Sequence, residues 1–251
     1  MCIRDSHLFV ELYYFYEYLE RDVKVKKLFT VLVFSTLLLA ACSNHSNSTD
    51  VSENDTQQQS DKSRKDQNVQ KKHEKVIKNG CTYIDNILIV NKEVSLPSNF
   101  NPGENPESQQ ALQKMFNQAH KENLNLYKIS GFRNYQTQVQ LYNQYATRDG
   151  KKAADKYSAR PGNSEHQTGL TYDVGAVGSD KNLYKSFGDT KEGKWIAKNA
   201  HKFGFIVRYP KGKEKITGYQ YEPWHLRYLG KQTATKVYDS DQALEEYVGL
   251  K

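Results

Sequence analysis

Ser164-Glu165-His166-Gln167-Thr168-Gly169-Leu170-Thr171-Tyr172-Asp173 decides the reading of this chain once it is set beside Glu222-Pro223-Trp224-His225. His166, Asp173 and His225 supply two imidazoles and a carboxylate, the ligand set of a catalytic zinc whose fourth position is kept for water. Glu222, three residues before His225, is the candidate base for that water. Gly169 interrupts any helix through the first stretch, and Leu170-Thr171-Tyr172-Asp173-Val174 is β-branched and aromatic. A loop carrying His166 is therefore expected to lead into a strand carrying Asp173. Pro223 removes a backbone donor and biases Glu222 towards extended backbone, which predicts a short edge segment or turn. A helical zinc-protease site is excluded, because no His-Glu-x-x-His string occurs in the chain.

Four strings in order extend the pattern: Ser130-Gly131-Phe132-Arg133-Asn134-Tyr135; Ser158-Ala159-Arg160-Pro161-Gly162-Asn163-Ser164-Glu165-His166-Gln167-Thr168-Gly169; Gly204-Phe205-Ile206-Val207-Arg208-Tyr209-Pro210; and Glu222-Pro223-Trp224-His225-Leu226-Arg227-Tyr228. From Leu124 to Gly230 the sequence resembles the VanY-type D-alanyl-D-alanine carboxypeptidases, with no departure at His166, Asp173, Glu222 or His225. The resemblance implies that His166, Asp173 and His225 bind one zinc, that Glu222 is the catalytic base, and that the fold is that of the zinc D-Ala-D-Ala peptidases. It also implies that Arg133 contacts substrate near the scissile carbonyl, where a fixed guanidinium stabilises oxyanion charge. Gln138 matches a polar position that often touches substrate in relatives. A carboxypeptidase must read a free C-terminal carboxylate, and Ser158 and Ser164, on the loop that delivers His166, are the expected donors; Arg160 reads equally as a solvated charge. Relatives with the same motifs include L,D-carboxypeptidases that trim tetrapeptide stems, and the motifs do not separate the two specificities.

The first 75 residues read differently from the rest. Met1 to Asp22 is crowded with aromatics and carries acidic residues that an export signal lacks, so it is read as a gene-model extension, with a real amphipathic segment as the alternative. Val23 to Lys27 is a positive start, and Leu28 to Ala41 is an apolar run of signal-peptide length, too short for a spanning helix. It ends in Leu39-Ala40-Ala41-Cys42, which resembles a bacterial lipoprotein signal: residues 23–41 would be removed, and Cys42 would be lipidated. An enzyme anchored on the extracellular face of the membrane follows as the expectation. Residues 42–75 are polar and low in apolar content, so a disordered tether is expected, with His45 and His73 as solvated residues.

Only Cys81 would then remain as a thiol, and no disulfide framework is expected. The formal charge of +7 and pI near 9.0 favour anionic surroundings such as wall polymers or lipid headgroups. Export argues against a nucleic-acid partner; peptidoglycan stem peptides are the expected one, with the chain a monomer.

Residues 76–251 are expected to form one α+β domain with a small antiparallel sheet and flanking helices. The reading has a hairpin around Asp85-Asn86, helices over Glu107–Glu122 and Tyr135–Arg148, and a strand over Leu126–Ser130. Further on come a helix over Lys194–Phe203 with Trp195, Ala197 and Ala200 inward, a strand pair Phe205–Tyr209 and Tyr219–Glu222, and a last helix over Lys231–Tyr247. His120 and His201 read as structural. Two other classes compete. A wall-binding lipoprotein with a structural zinc would not need Glu222, and an iron oxygenase of the two-His-one-carboxylate type has a closer spacing of its first two ligands.

Overall fold

The computed structural model describes residues 72–251. The N-terminal extension, the signal run, Cys42 and His45 lie outside the described residues. Strands β1 (Lys75–Lys78), β2 (Cys81–Ile84) and β3 (Ile87–Ile89) form an antiparallel sheet in that order. The β2–β3 hairpin turns at Asp85-Asn86, both at positive φ (49° and 64°), as a two-residue turn that matches strand twist requires. Strand β1 was not foreseen. His73, expected to be solvated, has its Nδ1 2.8 Å from Asp85 Oδ2, so the fold reaches back to it.

Helix α1 (Pro106–Lys121) begins where the Asn105 side chain accepts from Ser108 N and Pro106 supplies a φ already suited to the first turn. Its stripe of Leu112, Met115 and Ala119 is buried, as the spacing predicts. Strand β4 (Leu126–Ser130), helix α2 (Tyr135–Asp149) and the short α3 (Lys151–Ala154) follow. Next come β5 (Thr171–Ala176), α4 (Lys191–Asn199), β6 (Phe205–Tyr209), the one-turn α5 (Glu214–Thr217) and β7 (Glu222–Tyr228). Helices α6 (Lys231–Ser240) and α7 (Leu244–Tyr247) end the chain.

The second sheet is antiparallel throughout, with order β4-β5-β7-β6. Alternation gives it two chemically opposite faces. Tyr172, Val174, Phe205 and Leu226 pack with Leu112 and Met115 of α1 and with Trp195 and Ile196 of α4. Each large apolar side chain fully buried there contributes about 1.5–3 kcal/mol. Asp173 and His225, paired in register, alternate out of that apolar set, and Arg227 lies two residues beyond His225. Behind them, Ile206 joins Ile84, Ile89, Ala234, Val237, Leu244 and Val248 in a second apolar cluster.

Three expectations are corrected. Glu222-Pro223, expected in a short edge segment or turn, opens the seven-residue β7, and Tyr219 stands outside any strand. The sheet accommodates Pro223 because pairing with β5 ends at Asp173↔His225 and the register against β6 shifts between Val207 and Tyr209. A residue without an N–H fits at such an irregularity. Helix α4 starts at Lys191 and buries Ile196 rather than Ala197, and a 3-10 turn over Ala200–Phe203 follows it. The last helix is broken at Asp241, which takes a left-handed conformation (φ 53°) and lets α7 fold back onto the second cluster.

Candidate metal centre

The Ser164–Asp173 stretch builds two thirds of the site. Glu165–Thr168 is a buried 3-10 turn that Gly169 closes at φ 72°, and a Cβ there would lie 1.9 Å from Gly103 O. Only glycine meets both demands. The turn holds His166 with Nδ1 2.8 Å from Gly131 O, so the ring donates to that carbonyl and turns Nε2 towards Asp173 Oδ2, 3.2 Å away. Ser130 Oγ donates to the same Asp173 oxygen at 2.7 Å. On β7, His225 Nδ1 lies 3.2 Å from Asp173 Oδ1 and 3.7 Å from Glu222 Oε2.

Donor atoms of His166, Asp173 and His225 lie within 4.8 Å of one another. Asp173 Oδ1 is buried without a hydrogen-bond partner, an orphan that a cation would satisfy. Two imidazoles and one carboxylate fit zinc with a position left for water. The structure thus brings together the three expected ligands and the expected base.

Electrostatics separates the groups. Burial lowers the His166 pKa against the pull of Asp173. For His225 burial acts the same way but is outweighed by the carboxylates of Asp173 and Glu165 on either side of the ring, which is raised to about 9. Burial, with the Asp173 charge, pushes Glu222 up to about 8 against the opposing influence of His225 and Lys92. Asp173, despite burial, is held well below the usual carboxylate range by the two imidazoles.

Arg133 N donates to His166 O at 3.2 Å, and its Nη1 donates to Gln138 Oε1 at 2.8 Å. Gln138 is buried in α2 and donates to Ala159 O at 2.6 Å, with Ser158 Oγ at 3.5 Å. Its amide thus joins Arg133 to the Ser158–Ser164 loop. Ser158 lines a cavity of about 190 Å³ with Lys92, Asp155, Arg160, Asn163 and Tyr219. Ser164 is buried at the start of the 3-10 turn. Arg160 pairs with Asp155 through two bonds (3.1 and 2.9 Å) and is largely exposed, in keeping with its reading as a solvated charge. His120 bonds Asn125, and His201 stacks on Tyr238; neither approaches the site.

Sequence reasoning passed over Glu165, Arg208, Arg227 and Glu245, all buried behind the site. Arg208 left a signal, being a charge in an otherwise apolar and aromatic strand, whereas Arg227 shares its strand with Glu222 and His225 and stands out less. Glu245, in a four-residue helix, left none.

A buried two-histidine, one-aspartate centre with a carboxylate beside it, carried on an antiparallel sheet, has the donor set of a mononuclear metallohydrolase. The chain belongs to the VanY family of D-alanyl-D-alanine carboxypeptidases, whose family model matches residues 103–231. It is 42% identical over 183 residues to the putative carboxypeptidase YodJ of Bacillus subtilis, covering 65% of this chain and 67% of that protein. It is 35% identical to a D-alanyl-D-alanine carboxypeptidase of Enterococcus faecium over 70% of this chain, and spans about half (49%) of that relative's length. Among solved structures, an L,D-carboxypeptidase, DacB, from Streptococcus pneumoniae matches with TM-score 0.65 and 44% identity over 71% of this chain and 96% of its own. A VanY D,D-pentapeptidase from a VanB-type resistance cassette, in complex with Zn(II), matches with TM-score 0.56 and 31% identity over 64% and 97%. The chain is therefore a carboxypeptidase by family, with the mixed α and β fold of these enzymes.

Proposed function

We propose that this protein is a zinc-dependent carboxypeptidase that releases the terminal D-alanine of peptidoglycan stem peptides. The observation that carries the reading is the convergence of His166, Asp173 and His225 donors within 4.8 Å with the Glu222 carboxylate beside them. Zinc bound there would lower the pKa of a bound water towards about 7 and polarise the scissile carbonyl. Glu222, 3.7 Å from a ligand nitrogen, accepts the water's proton and passes it to the leaving amine. Arg133, fixed by Gln138, supplies a guanidinium to the developing oxyanion. Ser158 and Ser164 are assigned to the substrate's terminal carboxylate, and Lys92 extends the polar cavity towards Glu222, whose carboxyl feels its charge.

Two specificities share this machinery. The family model supports D,D-cleavage of pentapeptide stems, while the higher identity to an L,D-carboxypeptidase (44% against 31%) favours L,D-cleavage of tetrapeptides. Mass spectrometry after incubation with zinc and L-Ala-D-Glu-L-Lys-D-Ala-D-Ala, alongside the tetrapeptide ending in one D-Ala, separates them. Alanine lost from the pentapeptide alone assigns D,D-specificity, and loss from the tetrapeptide assigns L,D or dual specificity. Cleavage of neither by zinc-loaded protein would leave the wall-binding reading.

Anchoring through a lipid on Cys42, at the outer face of a bacterial membrane, is part of the same proposal and rests on the Leu39–Cys42 string. Metabolic labelling with palmitate should mark the wild type and miss Cys42→Ser; equal labelling of both would remove the anchor from the reading.

A further inference from the structure

His166 and Glu165 are neighbours in one 3-10 turn, yet their side chains serve opposite sides of the second histidine ligand. Glu165 is fully buried: its Oε1 accepts from Arg208 Nε and Arg227 Nη1, both at 2.8 Å. Its Oε2 has no hydrogen-bond partner and lies 3.5 Å from His225 Nε2, which is equally buried and equally without one. The other nitrogen of that ring, Nδ1, lies on the Asp173 side at 3.2 Å.

We infer that Glu165 is a positioning residue for the metal: it takes the Nε2 proton of His225 in a hydrogen bond and so fixes Nδ1 as the nitrogen that faces the cation. The inference rests on the zinc reading above. An imidazole that gives one lone pair to a metal carries its proton on the other nitrogen, and in a dry site that N–H needs an acceptor. Glu165 Oε2 is the acceptor the fold presents to it. His166 is arranged the other way round, with Nδ1 on the neutral carbonyl of Gly131 and Nε2 towards the centre. One ligand is thus backed by a neutral group and the other by an anion, which makes His225 the stronger donor of the two.

The remaining residues hold this carboxylate still. Arg208 grips Glu245 through two bonds (2.9 and 2.6 Å), and Arg227 Nη2 donates to Leu88 O at 2.7 Å. Two guanidiniums and two carboxylates sum to no net charge, so Glu165 stays anionic without placing an excess charge in the core. Both glutamates belong to this network, but Glu245 bonds Arg208 and Asn91 rather than His225 and serves as the control.

Zinc affinity of the full chain, measured by competition with a chromophoric chelator, tests the inference in wild type, Glu165→Gln and Glu245→Gln. Both variants should lose stability in urea, and Glu165→Gln alone should bind zinc about 10- to 100-fold more weakly. Long-range 15N–1H spectra of the zinc-loaded wild type should show His225 protonated on Nε2 and His166 on Nδ1, a readout that does not depend on any variant folding. Unchanged zinc affinity in Glu165→Gln, equal losses in both variants, or a His225 protonated on Nδ1 would each overturn the inference while leaving zinc binding intact. A wild type that takes up no zinc would overturn the zinc reading and the inference with it.

Discussion

Glu222 is a carboxylate kept where it is uncomfortable. Burial and Asp173 raise its pKa from 4.5 to about 8 in the protein without a cation, so the folded state holds a proton there that the unfolded chain releases above pH 4.5. Stability from this group is therefore greatest below pH 4.5 and declines as pH rises towards 8. Glu222→Gln removes that penalty: without zinc, the variant should melt above the wild type by several degrees at pH 8 and by much less at pH 5, as scanning calorimetry would show. The same substitution should lower turnover of the cleaved peptide by at least about 100-fold with zinc still bound. Near-normal activity would remove Glu222 as the base. His225 has the complementary dependence. Raised to about 9 by Asp173 and Glu165 against its burial, it must shed a proton to become a ligand. Zinc affinity should climb by at least about tenfold per pH unit between pH 6 and 8, read by chelator competition; a flat profile would mean that His225 is not a ligand.

At the scale of elements, the site depends on how one turn enters one strand. Gly169 lets the 3-10 turn bearing His166 pass directly into β5 bearing Asp173. Gly169→Ala puts a side chain into left-handed backbone, costing about 1–2 kcal/mol, before counting a Cβ 1.9 Å from Gly103 O. A lower urea midpoint together with weaker zinc binding is the expected outcome; loss of stability alone would mean that the turn does not set the ligand geometry. This much was legible from Gly169 and the β-branched run after it. The role of Pro223 was not, because a proline marks a missing donor without saying whether a strand has lost its neighbour there. Pairing that ends at Asp173↔His225, and the shift against β6, are tertiary facts that turn an apparent strand breaker into the device placing Glu222 beside His225. Ile196 and Ala197 of α4 were exchanged for a similar reason: a nine-residue helix fixes its buried face by what packs on it.

Across the whole molecule, Arg208 ties β6 to the 3-10 turn through Glu165 and to the C-terminal α7 through Glu245. Arg208→Ala leaves two buried carboxylates short of a partner and should cost about 3–5 kcal/mol in denaturant unfolding, far more than any surface pair such as Arg160 with Asp155. A cost below about 1 kcal/mol would show the network to be hydrated. By itself the sequence determined the family, the mixed α and β class and the elements whose periodicity is strong, such as α1 with Leu112, Met115 and Ala119, and it singled out three candidate ligands and a candidate base. Those features are local: residue type and spacing are enough to specify them. Only the tertiary structure decided which nitrogen of each histidine faces the centre, that Glu165 stands behind His225, and that residues as distant as Arg208 and Glu245 keep it charged. A buried charge is stabilised by partners that the chain brings together only when its sheet closes over them, so no run of neighbouring residues can announce it.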